Sequence, residues 1–360
     1  MPRLIQEMAS GPVDIIGDVH GEIDALRRLL SRLGCQPERG IAQRPLIFVG
    51  DLVDRGPDSP AVVELVMQLV REGIAQVVMG NHEFNLLRRD RKEGNGWALG
   101  DADDHYPSLR EGKKIHVAFG SRVPSGDQLH AFMEFFSQLP LALQRSDLRV
   151  VHAAWSAEAL SLLPESGNVL DLSKWSQTEV EHQLNLDGTL ALEQEELNRW
   201  AQLRARELKP TEWLEAHALA EERRQLADPV RVITSGPEVR VPKGEHFFVG
   251  GRWRYVARDR WWEKYSDEAA VVVGHYWRTR GETPVDGKTD MWQSTSATEW
   301  KGARNNVFCV DFSVGRRFLE RWEGRDAGSA HGLAALRWPE RELVFDDGWV
   351  MDSTGAGNSG

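Results

Sequence analysis

The chain has 360 residues, of which 41% are hydrophobic and 28% are charged, and its formal net charge at pH 7 is −11. An acidic chain of this kind is unsuited to general electrostatic binding of nucleic acid, which needs a basic surface, although a metal-lined pocket could still accept a nucleotide. The length allows one large domain with an insertion, or two domains.

The sequence offers no sign of secretion or of membrane insertion. Cys35 and Cys309 are the only cysteines, too few for a disulfide framework. Residues 1–11 lack the apolar core of a secretory signal, and no apolar stretch approaches the length needed to cross a bilayer. We therefore expect a cytoplasmic protein that binds neither membranes nor nucleic acid in general.

Short apolar runs alternate with amphipathic segments in the first part of the chain. The runs are rich in β-branched and aliphatic residues, as in strands that are buried on both faces. Between them, apolar residues recur at helical spacing. This alternation predicts a mostly parallel sheet covered by helices. The predicted strands end near Asp18, Asp51 and Asn81, and the predicted helices span 21–33, 60–71 and 83–91.

Residues 156–229 differ in character from the preceding part. They are rich in Glu, Gln, Arg, Leu and Ala, with helix-forming windows at 190–208 and 213–226 separated by Pro210. We predict a helical insertion within a catalytic domain that spans 12–350. The insertion could act as a lid that selects substrate, or it could be a buttress or an oligomer contact.

The last third of the sequence is β-like and rich in tryptophan. Trp253, Trp261, Trp262 and Trp277 are expected to serve packing rather than base stacking, although tryptophans near the predicted pocket leave a nucleotide substrate open. A glycine- and serine-rich tail at 353–360 is predicted to be flexible. The predicted strands, which we expect to close the second half, lie at 231–234, 246–250, 252–256, 270–273, 306–312, 332–338 and 343–345.

Five of the apolar runs each end in a residue that can bind a metal or contact a phosphate. The carboxyl ends of strands are where open α/β sheets gather their sites. One such coincidence carries little weight, but five in one chain predict a shared site. These residues are Asp18, Asp51, Asn81, His152 and His275.

Three of the strand ends lie in glycine-flanked motifs. In Gly-Asp-Val-His-Gly, Asp18 and His20 are two residues apart, so in an extended segment they can converge on one ion. A carboxylate and an imidazole together suit Mn, Fe, Zn or Ni. In Gly-Asp-Leu-Val-Asp-Arg-Gly, one Asp can bind metal, the other can orient a partner, and Arg55 offers a planar fork for phosphate. Gly-Asn-His-Glu places an Asn oxygen beside His82, which is free for acid–base chemistry.

These motifs, in this order and spacing, resemble those of the phosphoprotein phosphatase family of binuclear metallophosphatases, in its bacterial form within the calcineurin-like superfamily. The resemblance is dense over 13–81, and it implies an α/β fold, a β-sandwich of mixed sheets flanked by helices. It implies that Asp18 and His20 hold a first metal and that Asp51 bridges both metals. Asn81, His152 and His275 would complete the second site.

The resemblance also implies the remaining roles. His82 would be the general acid, oriented by Asp54, and Arg55 and Asn81 would contact the phosphate. A second phosphate-binding arginine is expected among Arg252, Arg254 and Arg258, with Arg252 favoured. The cofactors would be two divalent metal ions, manganese first, with iron, zinc or nickel as alternatives.

The function implied is that of a metal-dependent phosphomonoesterase, in which a two-metal-activated hydroxide attacks phosphorus in line. A protein phosphatase acting on phosphoserine or phosphothreonine is the leading expectation. A hydrolase of diadenosine tetraphosphate, other nucleotides or RNA ends is the alternative. The bacterial symmetrical diadenosine tetraphosphatases also resemble this chain, but they usually lack an aspartate at the position of Asp54, and this departure counts against assigning the chain to that branch. An inactive member that serves as a binding module, and a phosphodiesterase or nuclease, are the other possibilities.

Overall fold

Two sheets, with five and six strands, form the frame of the larger part of the chain. The computed structural model describes residues 1–100, 105–110, 113–202, 212–249, 252–280, 292 and 296–354. Contacts divide the chain into one unit formed by Met1–Ala153 and Trp262–Gly360 and a second formed by Ala154–Trp261. Within the described residues, none of the helices combines the length and apolarity that a membrane crossing requires.

The elements have the following bounds. The strands are β1 (Ile5–Glu7), β2 (Val13–Ile16), β3 (Leu46–Phe48), β4 (Ala75–Val77), β5 (His105–Arg110), β6 (Lys113–Ala118), β7 (Ala142–Gln144), β8 (Leu148–Val151), β9 (Glu238–Arg240), β10 (Phe247–Val249), β11 (Arg252–Arg254), β12 (Val256–Arg258), β13 (Ala270–Val273), β14 (Val307–Cys309), β15 (Ala334–Trp338), β16 (Glu342–Phe345) and β17 (Val350–Asp352). The helices are α1 (Ile23–Arg32), α2 (Ser59–Arg71), α3 (Asn81–Leu87), α4 (Gly96–Leu99), α5 (Gly126–Ser137), α6 (Ala157–Ser161), α7 (Val169–Leu186), α8 (Thr189–Gln202), α9 (Glu215–Leu226), α10 (Pro229–Ser235) and α11 (Arg317–Trp322).

The first unit is a β-sandwich, and this confirms the predicted fold class. One sheet has the order β1-β7-β8-β13-β14, and the other has the order β17-β16-β15-β2-β3-β4. β2, β3 and β4 run parallel, and so do β8, β13 and β14. Apolar side chains from both sheets form one core, among them Ile15, Ile47, Val150, Val272 and Phe308. Burying a side chain of this size is worth about 1.5–3 kcal/mol.

Helices α1 and α2 cover the six-stranded sheet through a single apolar face each. In α1 the buried residues recur at helical spacing, as the sequence predicts. α2 begins where Asp58 accepts a hydrogen bond from the Ala61 amide (2.9 Å), with Pro60 in the first turn. The connections that carry the predicted site residues are therefore fixed at both ends by regular structure.

The second unit contains the predicted insertion and continues beyond it to Trp261. Helices α7, α8 and α9 pack on one another. The Arg224 guanidinium in α9 pairs with Glu181 of α7 and Glu193 of α8. The insertion bounds of 156–229 and the role as a lid stay predictions. Residues 203–208 of the predicted window 190–208 and residues 355–360 of the predicted tail lie outside the described residues.

The strand predicted at 231–234 is wrong, because α10 occupies this segment. The Asp228 carboxylate accepts hydrogen bonds from the amides of Val230 and Arg231, at 3.1 and 3.3 Å, and Pro229 lies in the first turn. This N-terminal cap outweighs the β propensity of Val232 and Ile233, which the helix buries on its packed side.

Asp14 is an acidic residue inside a strand of the sandwich. Its side chain is fully buried, and its carboxylate oxygens have no hydrogen-bond partner among the described residues. The nearest cation is Arg337, whose Nε lies 3.6 Å from Oδ1. Burial is the main cause that raises the pKa of Asp14 from 3.8 to about 6.

We predict that Asp14→Asn changes the pH dependence of stability. The folded chain binds the proton of the Asp14 carboxyl group more tightly than the unfolded chain does. Protonation of Asp14 therefore stabilises the fold fully below pH 4, and this stabilisation is lost as the pH rises through 6. The difference in the free energy of unfolding between variant and wild type should therefore shift by about 2–3 kcal/mol in favour of the variant when the pH is raised from 4 to 7.5. Denaturant unfolding at both pH values measures this difference. The exposed Asp24→Asn is the control, and an equal offset at both pH values would contradict the assignment.

Candidate active site

The structure brings the five predicted strand-end residues together. Asp18, Asp51 and Asn81 follow the parallel strands β2, β3 and β4 of one sheet. His152 and His275 follow the parallel strands β8 and β13 of the other. Because both sheets belong to one sandwich, the ends of these strands meet at the same edge. Side-chain contacts run from Asp51 to His152, from His152 to Asn81 and from Asn81 to His275, and the Asp18 carboxylate accepts a hydrogen bond from the His275 amide.

The Asp51 carboxylate lies at the centre of the group. Its Oδ2 is 3.3 Å from Nε2 of His152 and 3.8 Å from Nε2 of both His20 and His82. Two sets of side chains have the spacing to hold a metal ion, and both contain Asp51: one with His20 and His82, the other with His152 and His275. His82 also contacts Asp54, and in the roles that the motifs imply it is the proton donor, while Asp18 completes the first set. Asp18 reaches the first set, with Oδ2 3.9 Å from Nε2 of His20. This arrangement suits a carboxylate shared by two cations.

Asn81 and two imidazoles converge on the second position. The Asn81 Oδ1 atom lies 2.7 Å from Nδ1 of His275 and 3.1 Å from Nε2 of His152. Together with Asp51, these groups offer two nitrogen and two oxygen donors. Such a mixed set is appropriate for a divalent transition metal.

Backbone carbonyl groups orient two of the histidines. Nδ1 of His20 donates to the Val53 carbonyl at 3.0 Å, and Nδ1 of His152 donates to the Val49 carbonyl at 2.7 Å. Each hydrogen bond fixes the tautomer and directs Nε2 towards Asp51. Ligating histidines in metalloproteins are held in the same way.

The backbone is strained at the same place. In the described part of the chain, nine residues other than glycine have a positive φ angle, and five of them belong to this group. Such conformations persist only where the surrounding structure enforces them, and they cluster at functional sites. The five are His20 (46°), Asp51 (48°), Asp54 (74°), Arg55 (69°) and His275 (64°).

Two glycines allow backbone to approach the carboxylates closely. A Cβ atom on Gly80 would lie 2.2 Å from Oδ1 of Asp51, and one on Gly274 would lie 2.0 Å from Oδ1 of Asp18. These contacts are too short for any side chain, so glycine is required at both positions.

Glu83 fixes two of the strand ends. Its buried carboxylate accepts hydrogen bonds from the amides of Asp51 (2.9 Å), Leu52 (2.7 Å) and Gly80 (3.0 Å). It therefore ties the segment after β3 to the start of α3. Sequence reasoning assigned no role to this residue, although it lies in the third motif.

The electrostatics of the group favour bound cations. Asp18, Asp51, Glu83 and Asp311 are each no more than 2% exposed. Burial, together with Asp311 and Asp51, holds the pKa of Asp18 well above its usual value. Burial also raises the pKa of Glu83 to about 7 and that of Asp311 to about 6. Buried carboxylates in such numbers need cations or many donors, so the residues present fit a divalent metal site.

The imidazoles of the group respond to the same surroundings. Burial, together with the cationic Arg55, lowers the pKa of His20 well below its usual value. Burial opposes the charged form of His152 as well, but the facing Asp51 carboxylate raises its pKa. Burial would raise the pKa of Asp51 too, yet His152 and His82 hold it well below its usual value. The negative charge is therefore concentrated on the carboxylate that both sets share.

His82 and Asp54 form a dyad beside the predicted metal ligands. Nδ1 of His82 lies 2.5 Å from Oδ2 of Asp54, and Oδ1 of Asp54 accepts a hydrogen bond from Nε1 of Trp97 at 2.7 Å. The Arg55 guanidinium reaches across the ligands, 3.2 Å from Nε2 of His20 and 3.3 Å from Nε2 of His82. These positions are suitable for a proton donor and for a phosphate-binding cation.

Some site residues escaped sequence reasoning, and one predicted residue is not placed. Trp97 carries no local signal, since its contact with Asp54 is made only by the folded chain. Asp311 does follow an apolar run, at the end of β14, and the strand-end signal used for the other five residues could have found it. Asp311 is 1% exposed; Oδ1 accepts from the Ser313 amide at 2.8 Å, while Oδ2 has no hydrogen-bond partner among the described residues. Arg252 lies in β11, in the second unit, and its side chain is outside the described part, so its role stays a prediction.

The β-sandwich, with carboxylates and imidazoles grouped at its strand ends, has the architecture expected of a metallophosphoesterase. The model of the calcineurin-like phosphoesterase family matches residues 11–276, and because this match spans most of the sequence, the chain belongs to that family. Family membership confirms the predicted superfamily and, of the predicted class of enzyme, that of a phosphoesterase.

Several proteins of known name are similar to this chain. An asymmetrical bis(5'-nucleosyl)-tetraphosphatase, PrpE, of Oceanobacillus iheyensis is 37% identical over 147 residues, which cover 39% of this chain and 54% of the relative. The enzyme of the same name from Halalkalibacterium halodurans is 36% identical over 148 residues, covering 39% and 56%. The chain thus spans about half the length of the curated relatives it matches. Among solved structures, a cold-active protein-tyrosine phosphatase of a psychrophilic Shewanella is 16% identical, with a TM-score of 0.46 over 98% of this chain and 82% of that one.

We predict that Asp51→Asn removes metal binding. An amide at the shared position loses the charge that both sets of ligands use, so the affinity for Mn²⁺ should fall by at least about 100-fold. Equilibrium dialysis with metal analysis measures the stoichiometry, and Asp24→Asn serves as the exposed control. His82→Asn should still bind two ions per chain. Retention of two ions by Asp51→Asn would refute the shared-ligand assignment.

Proposed function

We propose that this chain hydrolyses dinucleoside polyphosphates of the bis(5'-nucleosyl) tetraphosphate type. The observation that carries the catalytic part is the Asp51 carboxylate, which three imidazoles face within 3.8 Å. The substrate class is supported by the relatives, whose names record hydrolysis of bis(5'-nucleosyl) tetraphosphates. They favour the nucleotide alternative over the phosphoprotein substrate that we placed first.

The ligand groups divide between two positions. Asp18, His20 and Asp51 would hold one divalent cation, manganese being the first candidate. Asp51, Asn81, His152 and His275 would hold the other. Two such cations would lower the pKa of an attacking water and stabilise an in-line displacement at phosphorus.

The remaining residues act on the phosphate and on the leaving group. The Arg55 guanidinium, which lies beside His20 and His82, presents a planar fork to the phosphoryl oxygens. Nε2 of His82 can give a proton to the departing oxygen, while Asp54 holds the ring by Nδ1. Trp97 in turn holds Asp54, so the orientation of the dyad depends on groups with no contact to substrate.

The dyad also favours a second candidate, hydrolysis of phosphomonoesters such as phosphoserine or phosphothreonine. A nucleotide leaving group is a phosphate whose second pKa is about 6, so it departs without protonation. An alkoxide leaving group is far more basic and needs a general acid. His82, held by Asp54 at 2.5 Å, could serve as that general acid.

The reaction is proposed to take place in the cytoplasm. Cys35 and Cys309 are both buried and neither forms a disulfide, which suits a reducing compartment.

A panel of substrates tests the proposal. With Mn²⁺ present, kcat/KM should be highest for diadenosine tetraphosphate, ahead of a phosphopeptide, a mononucleotide and a 5'-triphosphorylated RNA. Products resolved by chromatography show which anhydride bond is cleaved. A phosphopeptide that exceeds diadenosine tetraphosphate in kcat/KM would overturn the proposal in favour of the second candidate.

We predict that His82→Asn separates substrates by their leaving groups. Loss of the general acid should reduce kcat for an alkyl phosphate by about 10²–10⁴-fold and should affect diadenosine tetraphosphate much less. Asp54→Asn should also reduce kcat more for the alkyl phosphate than for diadenosine tetraphosphate. Both reductions should be smaller than those of His82→Asn, because this change disturbs only the orientation of the His82 ring. Equal losses of kcat on both substrates would mean that His82 acts in some way other than by donating a proton.

A further inference from the structure

Trp277 is an exposed aromatic residue next to a predicted metal ligand. It lies two positions after His275, and 37% of its surface is accessible. Its neighbours Tyr276 and Arg278 are both fully buried. The Trp277 side chain is therefore held out from a backbone segment that is anchored on either side. The ring is therefore partly accessible, and the packing role that we expected for it stays a prediction.

Two guanidinium groups lie over the ring of Trp277. Cζ of Arg55 is 5.8 Å from the ring centroid, and Cζ of Arg316 is 5.3 Å from it. Both distances are within the range of a cation–π interaction. Arg55 also contacts His20 and His82, so the ring links the metal ligands to a second cationic side chain.

Hydrogen bonds between neighbouring residues join the two segments that carry Trp277 and Arg316. The Arg278 amide donates to the Asp311 carbonyl at 3.0 Å, and the Ser313 hydroxyl donates to the Arg278 carbonyl at 3.0 Å. Arg316 ends the 3₁₀ turn Val314–Arg316. A Cβ atom on Gly315 would lie 2.4 Å from Cδ2 of His20, so this turn packs directly on the His20 ring.

We propose that Trp277 and Arg316 form a subsite for the phosphate groups next to the scissile one, and that this subsite selects polyphosphates over single phosphates. The inference rests on the proposed function and extends it from the metal centre to the rest of the phosphate chain. Arg55 holds the phosphoryl group at the ligands, and Arg316 binds a neighbouring phosphate by a charge-assisted fork. The Trp277 ring fixes the spacing of the two guanidinium groups. An anionic chain between them relieves the repulsion of two like charges.

Inhibition by inorganic phosphates tests the subsite without any nucleoside. Hydrolysis of an aryl phosphate is measured at a fixed concentration of free Mn²⁺, with orthophosphate or tripolyphosphate as the inhibitor. Tripolyphosphate should inhibit the wild type at the lower concentration. Arg316→Ala should raise the inhibition constant of tripolyphosphate about ten- to hundredfold more than that of orthophosphate.

Matched variants separate the subsite from a general effect. Arg325→Ala removes a surface arginine that pairs with Glu323, and both inhibition constants should remain at the wild-type values. Arg316→Lys keeps the charge without the fork and should lie between the wild type and Arg316→Ala. Trp277→Leu should change the two constants in the same direction as Arg316→Ala. In the variant that combines Trp277→Leu with Arg316→Ala, the inhibition constant of tripolyphosphate should rise less than the product of the two single increases, because both residues act through one contact.

The outcomes also separate the subsite from the proposed function. If Arg316→Ala raises both inhibition constants equally, or neither, the subsite is refuted. If the wild type fails to hydrolyse diadenosine tetraphosphate while tripolyphosphate inhibition still depends on Arg316, the proposed substrate is wrong and the subsite stands.

Discussion

The burial of the Asp51 carboxylate is the constraint on which the rest of the site depends. A carboxylate taken out of water is costly unless cations or donors surround it. Here three imidazoles face it, and the His82 amide donates to its Oδ1 at 2.9 Å. Its own amide and that of Leu52 are held by Glu83. The charge therefore lies at a fixed point, and every group that could share a cation with it is arranged around that point.

This arrangement uses the geometry of the sandwich. Parallel strands in each sheet end at a common edge, so ligands that are far apart in sequence become neighbours without long side chains. The cost falls on the backbone, where His20, Asp51 and His275 adopt positive φ angles and Gly80 and Gly274 leave no space for a side chain. Strands β2 and β13, whose residues are all buried, lead into the segments that carry His20 and His275.

The sequence reveals this site because its ligands adjoin apolar runs that can be recognised locally. Strand period and glycine spacing are properties of neighbouring residues, so they predict the strand ends, while the β-sandwich was implied by the resemblance of the motifs to a known family. The Trp97–Asp54 contact and the hydrogen bond from Arg278 to Asp311 join residues that are distant in sequence, and no local pattern encodes them. At 231–234 the local pattern misled the prediction: the β-branched residues favoured a strand, but the helix cap formed by Asp228 made this segment a helix.

Chemistry and specificity therefore depend on different parts of the chain. The ligands and the dyad can serve an anhydride or an ester, because both reactions pass through in-line attack on phosphorus and differ chiefly in the basicity of the leaving group. Residues outside the motifs must then distinguish the substrates. In the described part of the first unit, Trp277 and Arg316 are our candidates for this role: they lie next to the predicted ligands His275 and His20, on segments that the motifs do not include. A relative with the same ligands but other residues at these two positions would keep the reaction and change its substrate.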